Sequence, residues 1–559
     1  MIKLRDYLDV NIVLLLIVLS LFNWKVNSSQ ASDFYVHNLP LLSKSFSSIH
    51  MHAGYLPADP QHHGALFFWH FAKKSITKKS TTVIWLAGGP GGSSIPQVWL
   101  GVGPLLFRNN NTIVENKRSW SLFANLLFVD QPVGTSFSYT DANAFIHDLP
   151  EMADQFLYFL DRYIEIFPRL LDHDIYFAGS SFAGQYIPYI ARTILEKRSA
   201  LKLRGLLIGN GLIDPRTTYM SYLPFAVEKQ MIERDSALYN RTSEKVKECQ
   251  EALSKKVHVF ENKCDHILRQ IVYDSPDTDY YAKKYKYKCL NVYNLHLADT
   301  VADCSVNRWP KQKDITSYLR RPDVLACLHV GAKVLNWTYY SHSVYEAFDA
   351  CHSTPSVELL PDLLRRIPIV LYNGEYDVIC NYRATETMID MMSWNGRTGF
   401  DLGNGTFAPT ESWIVEGESA GVIRSARNLT YILFYKAGHT VTYDQTSRSR
   451  AMLQQFIKRN SNRNQDQTIK KKTKRNSQTK HRSSKRIAFL TLATTAPVVV
   501  FLSLVWFMVY KRQLSRTPFD IIRTLQSKFR GVERQQSVIY SLLNDSPEDL
   551  HIPNNVTLV

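Results

Sequence analysis

The chain has 559 residues, 45% of them apolar and 12% aromatic, enough to bury a large core and to exclude wholesale disorder. With 24 Gly, 23 Pro and no fixed repeat period, it is neither a collagen-like polymer nor a solenoid. The net charge of +16 is concentrated in residues 458–486, where twelve Lys/Arg face Asp466 alone; the folded part is nearly neutral, so no nucleic-acid binding is expected.

In chain order, residues 1–29 read as a secretory signal peptide: Lys3 and Arg5, the apolar run Ile12–Phe22, then small polar residues from Asn27. Residues 30–458 read as a luminal domain. Short apolar runs predict strands at Thr82–Leu86, Asn125–Val129, Ile175–Ala178, Gly205–Ile208, Ile367–Tyr372 and Tyr431–Tyr435, with helical patterns at Met152–Phe167 and Tyr186–Leu195. Strands alternating with helices imply an α/β domain with a largely parallel sheet.

Six of the seven cysteines (Cys249, Cys264, Cys289, Cys304, Cys327 and Cys351) fall in one stretch and Cys380 follows, which predicts a disulfide-stapled insertion at about 218–355 in an oxidising compartment. Sequons at Asn110, Asn240, Asn336, Asn404 and Asn428 are candidate glycosylation sites. Residues 459–486 read as a basic disordered stalk and 487–510 as a transmembrane helix without a charge, ending at Lys511-Arg512. The expected topology is single-pass with the large domain luminal, and the tail 511–559 carries Tyr540-Ser541-Leu542-Leu543, a spacing like that of coat-adaptor sorting signals.

Three predicted strands end in residues that carry chemistry. Ile175–Ala178 runs through Gly179-Ser180 to Ser181, then Phe182-Ala183-Gly184 and a helix, the context of a nucleophile elbow. Asp377 follows the Ile367 strand and His439 the Tyr431 strand, and Ser181…Asp377…His439 is the chain order of α/β-hydrolases. A serine hydroxyl needs a base to take its proton, and an imidazole needs a carboxylate to fix its tautomer. The N–H groups of Phe182 and Gly89 are the expected oxyanion donors. No metal-ligand cluster or phosphate-binding loop is evident, and no cofactor is expected.

The segment Trp85-Leu86-Ala87-Gly88-Gly89-Pro90-Gly91-Gly92-Ser93-Ser94 resembles the serine carboxypeptidase signature W-L-N-G-G-P-G-C-S-S. Asp130-Gln131-Pro132-Val133-Gly134-Thr135, Gly179–Gly184 and Asp377–Asn381 resemble further blocks of that family, and Leu206–Pro215 with Ser221–Ala226 resembles its membrane-anchored fungal Golgi branch, which processes pheromone precursors. The resemblance covers about His50 to Ile457. It implies an α/β-hydrolase fold with a mainly helical insertion, peptide or propeptide substrates, release of C-terminal Lys or Arg through an acyl-enzyme, and residence in the trans-Golgi network.

The family binds the substrate's terminal carboxylate with an Asn, a backbone N–H and two acids. The matching positions here are Ala87, Gly88, Ser180 and Gly101, so all three side-chain carriers are replaced. Gly438-His439-Thr440-Val441-Thr442 stands where the family has G-H-M-V-P, and Gly92 replaces the signature cysteine whose partner resembles Cys351. With that cysteine absent, Cys327, which matches no family cysteine, is expected to pair with Cys351 instead; Cys249–Cys264 and Cys289–Cys304 are then the other expected bridges, with Cys380 unpaired. Three readings remain open at this point: a working serine carboxypeptidase, a same-fold hydrolase or acyltransferase of altered specificity, and a non-catalytic binding or sorting protein.

Overall fold

The computed structural model describes residues 29–43, 49–73, 80–108, 112–141, 144–255, 257–274, 291–297, 311–331, 334, 336–462 and 498–512. The chain divides into two units, Met1–Ser461 and Asn462–Val559.

The first unit is built on a ten-stranded sheet: β1 (Ile49–Asp59), β2 (Gly64–Lys73), β3 (Thr81–Leu86), β4 (Asn125–Asp130), β5 (Asp174–Ser181), β6 (Lys202–Gly211), β7 (Ile369–Gly374), β8 (Glu411–Val415), β9 (Glu418–Ala426) and β10 (Leu429–Phe434). Their spatial order is β1-β2-β4-β3-β5-β6-β7-β10-β9-β8. The six strands from β4 to β10 in that order run parallel, and an antiparallel hairpin closes each edge. The six predicted strands are the six parallel ones. Both hairpins went unpredicted.

The parallel strands are apolar throughout because both faces are covered. Successive residues alternate between two cores: Ile84, Leu127, Val129 and Phe177 belong to one, and Val83, Trp85, Leu126, Phe128 and Tyr176 to the other. The helix α1 (Leu149–Ile166) buries Met152, Phe156, Phe159, Leu160 and Tyr163, a stripe at helical spacing, against the first core. So does α2 (Ala183–Lys197), through Ile187 and Ile190.

Between β6 and β7 lies the helical insertion, where α3 (Pro215–Glu228), α4 (Ala237–Lys255) and α5 (Asn262–Asp274) form a third core around Phe225, Leu238, Ile267 and Ile271. The expected bridge Cys249–Cys264 joins α4 to α5 within it. The expected pairing of Cys327 with Cys351 does not occur; both are free thiols. Cys327 Sγ approaches the carbonyl of Asn38 at 3.8 Å, whereas Cys351 Sγ lies 3.1 Å from His352 Nδ1 beside Asp148, so each thiol is held by a different neighbourhood. Cys289 and Cys304 lie outside the described residues.

A last helix, residues 446–462, carries the chain past the predicted start of the stalk. The signal peptide up to residue 28, the rest of the stalk, Asn110 and Tyr540–Leu543 are outside the described residues. Asn240, Asn336 and Asn404 are exposed, while Asn428 is half-buried with its Nδ2, the atom a glycan would occupy, donating to the carbonyl of Leu364 at 2.8 Å. In the second unit residues 498–512 form a helix; of the predicted span, 487–497 are not described. Among the described residues no helix is long and apolar enough to cross a membrane.

Candidate active site

β5, β6, β7 and β10 are sheet neighbours running the same way, so their carboxyl ends open on one edge. Ser181 closes β5 with φ +64, the left-handed region that a side chain adopts only under local constraint. Phe182 opens α2, so its N–H has no intrahelical acceptor. The Gly88–Gly92 loop, which follows β3, lies directly against this turn. A Cβ on Gly88 would fall 2.4 Å from the Phe182 nitrogen and 2.7 Å from Ser181 Cβ, so only glycine lets the two backbones approach.

His439 Nδ1 lies 2.8 Å from Asp377 Oδ2, with both side chains buried. Asn210, buried at the end of β6, donates through Nδ2 to the same Oδ2 at 2.5 Å, and the N–H of Ile379 donates to Oδ1 at 3.2 Å. Bonds of this kind fix the carboxylate's orientation. The short segment 291–297 of the insertion braces both loops: Val378 and Ile379 donate to the Val292 carbonyl at 3.0 and 3.2 Å, and the His439 N–H donates to the Tyr293 carbonyl at 2.6 Å.

Ser181 and His439 line one cavity of about 510 Å³, together with Ala87, Gly88, Gly89, Ser180 and Phe182. Tyr219, Tyr222, Phe260 and Asp265 from the insertion also line it, with Phe260 stacked on Phe182 and the Tyr222 hydroxyl donating to the Ile379 carbonyl at 3.1 Å. Of the predicted carboxylate-site positions, Gly101 alone is not among the lining residues. Cys380 also lines the cavity, close to Ser181. Burial, reinforced by the Asp377 charge, pushes that thiol well above its ordinary range and keeps it neutral.

Asp130 supports the glycine loop from below. Its Oδ1 accepts from Ser93 Oγ (2.8 Å) and the Ser94 N–H (2.7 Å), and Ser94 Oγ in turn accepts from the Ala87 N–H at 2.9 Å. Complete burial pushes Asp130 up to about 7, against the pull of those two bonds. The segment Tyr339–Ser341 is zipped to the same loop through Ser93 N–H to the Tyr339 carbonyl (3.1 Å) and Ser341 N–H to the Gly91 carbonyl (2.8 Å).

A family profile described as serine carboxypeptidase matches residues 40–459. The chain belongs to the serine carboxypeptidase family. Among curated members it is similar to the pheromone-processing carboxypeptidase of Colletotrichum graminicola, at 42% identity over 79% of this chain and 72% of that protein. The Tuber melanosporum pheromone-processing carboxypeptidase is 44% identical over 77% of this chain and 70% of its own length. Among solved structures, the prohormone-processing carboxypeptidase of Saccharomyces cerevisiae superposes with a TM-score of 0.70 at 32% identity, covering 77% of this chain and 96% of that one. The α/β-hydrolase fold with a helical insertion is therefore that of this serine carboxypeptidase.

Sequence reasoning placed Asp130 and Asn210 inside family-like blocks without giving either a role, and did not reach the segment 291–297. Asn210 carried a signal, since a polar residue between the apolar run Leu206–Ile208 and Gly211 is out of place in a buried strand end.

Proposed function

We propose that this serine carboxypeptidase acts in the secretory pathway, releasing C-terminal Lys or Arg from peptide precursors with Ser181, His439 and Asp377 as its catalytic residues. The observation that carries the reading is the buried 2.8 Å contact of His439 Nδ1 with Asp377 Oδ2, opening on the cavity that Ser181 enters. Ser181 Oγ attacks the carbonyl of the last peptide bond while His439 takes its proton, and the oxyanion turns to the N–H groups of Gly89 and Phe182. Collapse breaks the C–N bond, His439 returns the proton to the departing amine, and a water repeats the sequence on the acyl-enzyme.

Asp265 supports the preference for basic side chains. It is an acid lining the cavity beside Tyr219; burial raises it and the neighbouring Arg269 pulls it back, and a cationic side chain entering the cavity would meet it there. The anchor at 487–510 and the adaptor motif Tyr540–Leu543 fit a single-pass protein of the trans-Golgi network with its enzymatic domain in the lumen.

The test uses the detergent-solubilised full chain. Fluorophosphonate labels it, the Ser181→Ala variant stays unlabelled, and a peptide ending in free Arg loses that residue. A chain that resists labelling is a binding protein; one that is labelled but leaves every free-acid peptide intact is a hydrolase of another specificity.

A further inference from the structure

Replacement of the three carboxylate-binding side chains leaves a question of what meets the substrate's terminus. Gly101 has φ +93, and a Cβ there would stand 1.8 Å from the carbonyl oxygen of Thr442. The family's acid cannot stand at 101 while Thr442 is in place, because both the backbone conformation and the space exclude it. Thr442 also faces the next polar group along. Its Oγ1 lies 3.2 Å from Gln97 Oε1 and 3.1 Å from the carbonyl of Leu100.

Gln97 is 8% exposed, yet it lines the cavity with Ala87, Gly88, Ser180 and Ser181. Its backbone is pinned at both ends, its N–H donating to the Ser94 carbonyl at 3.2 Å and its carbonyl accepting from Gly103 at 2.9 Å. A side-chain amide has two groups to satisfy, and Thr442 satisfies one. The other is left for whatever fills the cavity beside Ser181. A buried amide facing a site where a carboxylate must be desolvated supplies the donor that such a terminus needs.

We infer that Gln97, anchored by Thr442, is the side chain that binds the C-terminal carboxylate of the substrate, together with the Ser180 hydroxyl and the Gly88 N–H. The inference rests on the carboxypeptidase reading above. This set carries no ionisable proton, so binding of the terminus does not depend on the protonation of an enzyme acid. The terminus itself is therefore bound equally from about pH 5 to 8, so any pH dependence of KM for an Arg-ended peptide is left to Asp265, whereas a site built on shared carboxyls weakens as those carboxyls ionise.

The experiment measures kcat and KM for a peptide ending in free Arg between pH 5 and 8, with fluorophosphonate labelling of Ser181 as the check on folding. Gln97→Leu is expected to raise KM about tenfold while the labelling rate holds. Gln97→Glu is expected to match the wild type near pH 5 and to lose about tenfold in KM by pH 7, as the new carboxyl ionises against the substrate's own charge. Variants with wild-type KM at every pH, in an enzyme that turns the peptide over, overturn the assignment of Gln97 and leave the carboxypeptidase reading standing. A wild type labelled at Ser181 that releases no terminal residue overturns both.

Discussion

Asn210 Nδ2 and His439 Nδ1 converge on one oxygen, Oδ2 of Asp377, at 2.5 and 2.8 Å. The carboxylate is thereby fixed between a neutral donor on β6 and the imidazole it serves. Asn210→Ala removes a hydrogen bond to a buried charge, worth about 1.5–3 kcal/mol. The expected result is a fall in kcat of about tenfold or more with KM little changed, because the loss bears on the imidazolium formed during proton transfer rather than on substrate binding. Steady-state kinetics on an Arg-ended peptide checks it, and an unchanged kcat would show that the Asn210 contact does not orient the acid.

Asp130 sets a pH dependence. Its carboxyl sits at about 7 in the fold, above the ordinary value of 3.8, chiefly through burial. A raised acid favours the protonated form in the native state, so its contribution to stability is full below about pH 4 and is lost as pH climbs towards about 7. Asp130→Asn keeps an acceptor for Ser93 and Ser94 but removes the titration. Melting temperature should fall between pH 5 and 7.5 more steeply for the wild type than for the variant; parallel curves would refute a buried, neutral Asp130.

Asp265→Asn tests the attraction of basic side chains. Replacing the acid on the cavity wall should lower kcat/KM for a peptide ending in Lys-Arg about tenfold and leave a peptide ending in Leu-Leu unaffected. Equal losses on both peptides would mean that Asp265 acts only through the packing of the insertion.

Gly101 marks a position that cannot simply be reverted. Gly101→Ala places a methyl against the Thr442 carbonyl at a positive φ, and the expected cost is about 1–3 kcal/mol of stability. Thermal denaturation checks it. By contrast Ala87 and Ser180 line the open cavity, and the pair Ala87→Asn with Ser180→Glu should fold normally, with any gain in exopeptidase activity confined to acid pH, where a carboxyl at 180 keeps its proton.

Much of this architecture was legible in the residues. The central strands are buried on both faces, so Thr82–Leu86 or Ile175–Ala178 reads as an apolar run whatever surrounds it. The edge strand Glu411–Val415 mixes polar residues with Trp413 and is defined by its partner rather than by its own pattern. At the site, Ser181, Asp377 and His439 announced themselves through the turns that follow strands. Asn210 and Gln97 did not, because an amide's role depends on which neighbour it faces across the fold. The Cys327–Cys351 expectation failed for the same reason: spacing says nothing about the direction in which two thiols point.

The segment 291–297 receives backbone bonds from Val378, Ile379 and His439. Those two loops, 62 residues apart at Asp377 and His439, also touch each other, so one short segment of the cap bears on both. A change that loosens the segment 291–297 therefore loosens the acid and the imidazole together, although neither side chain belongs to the cap.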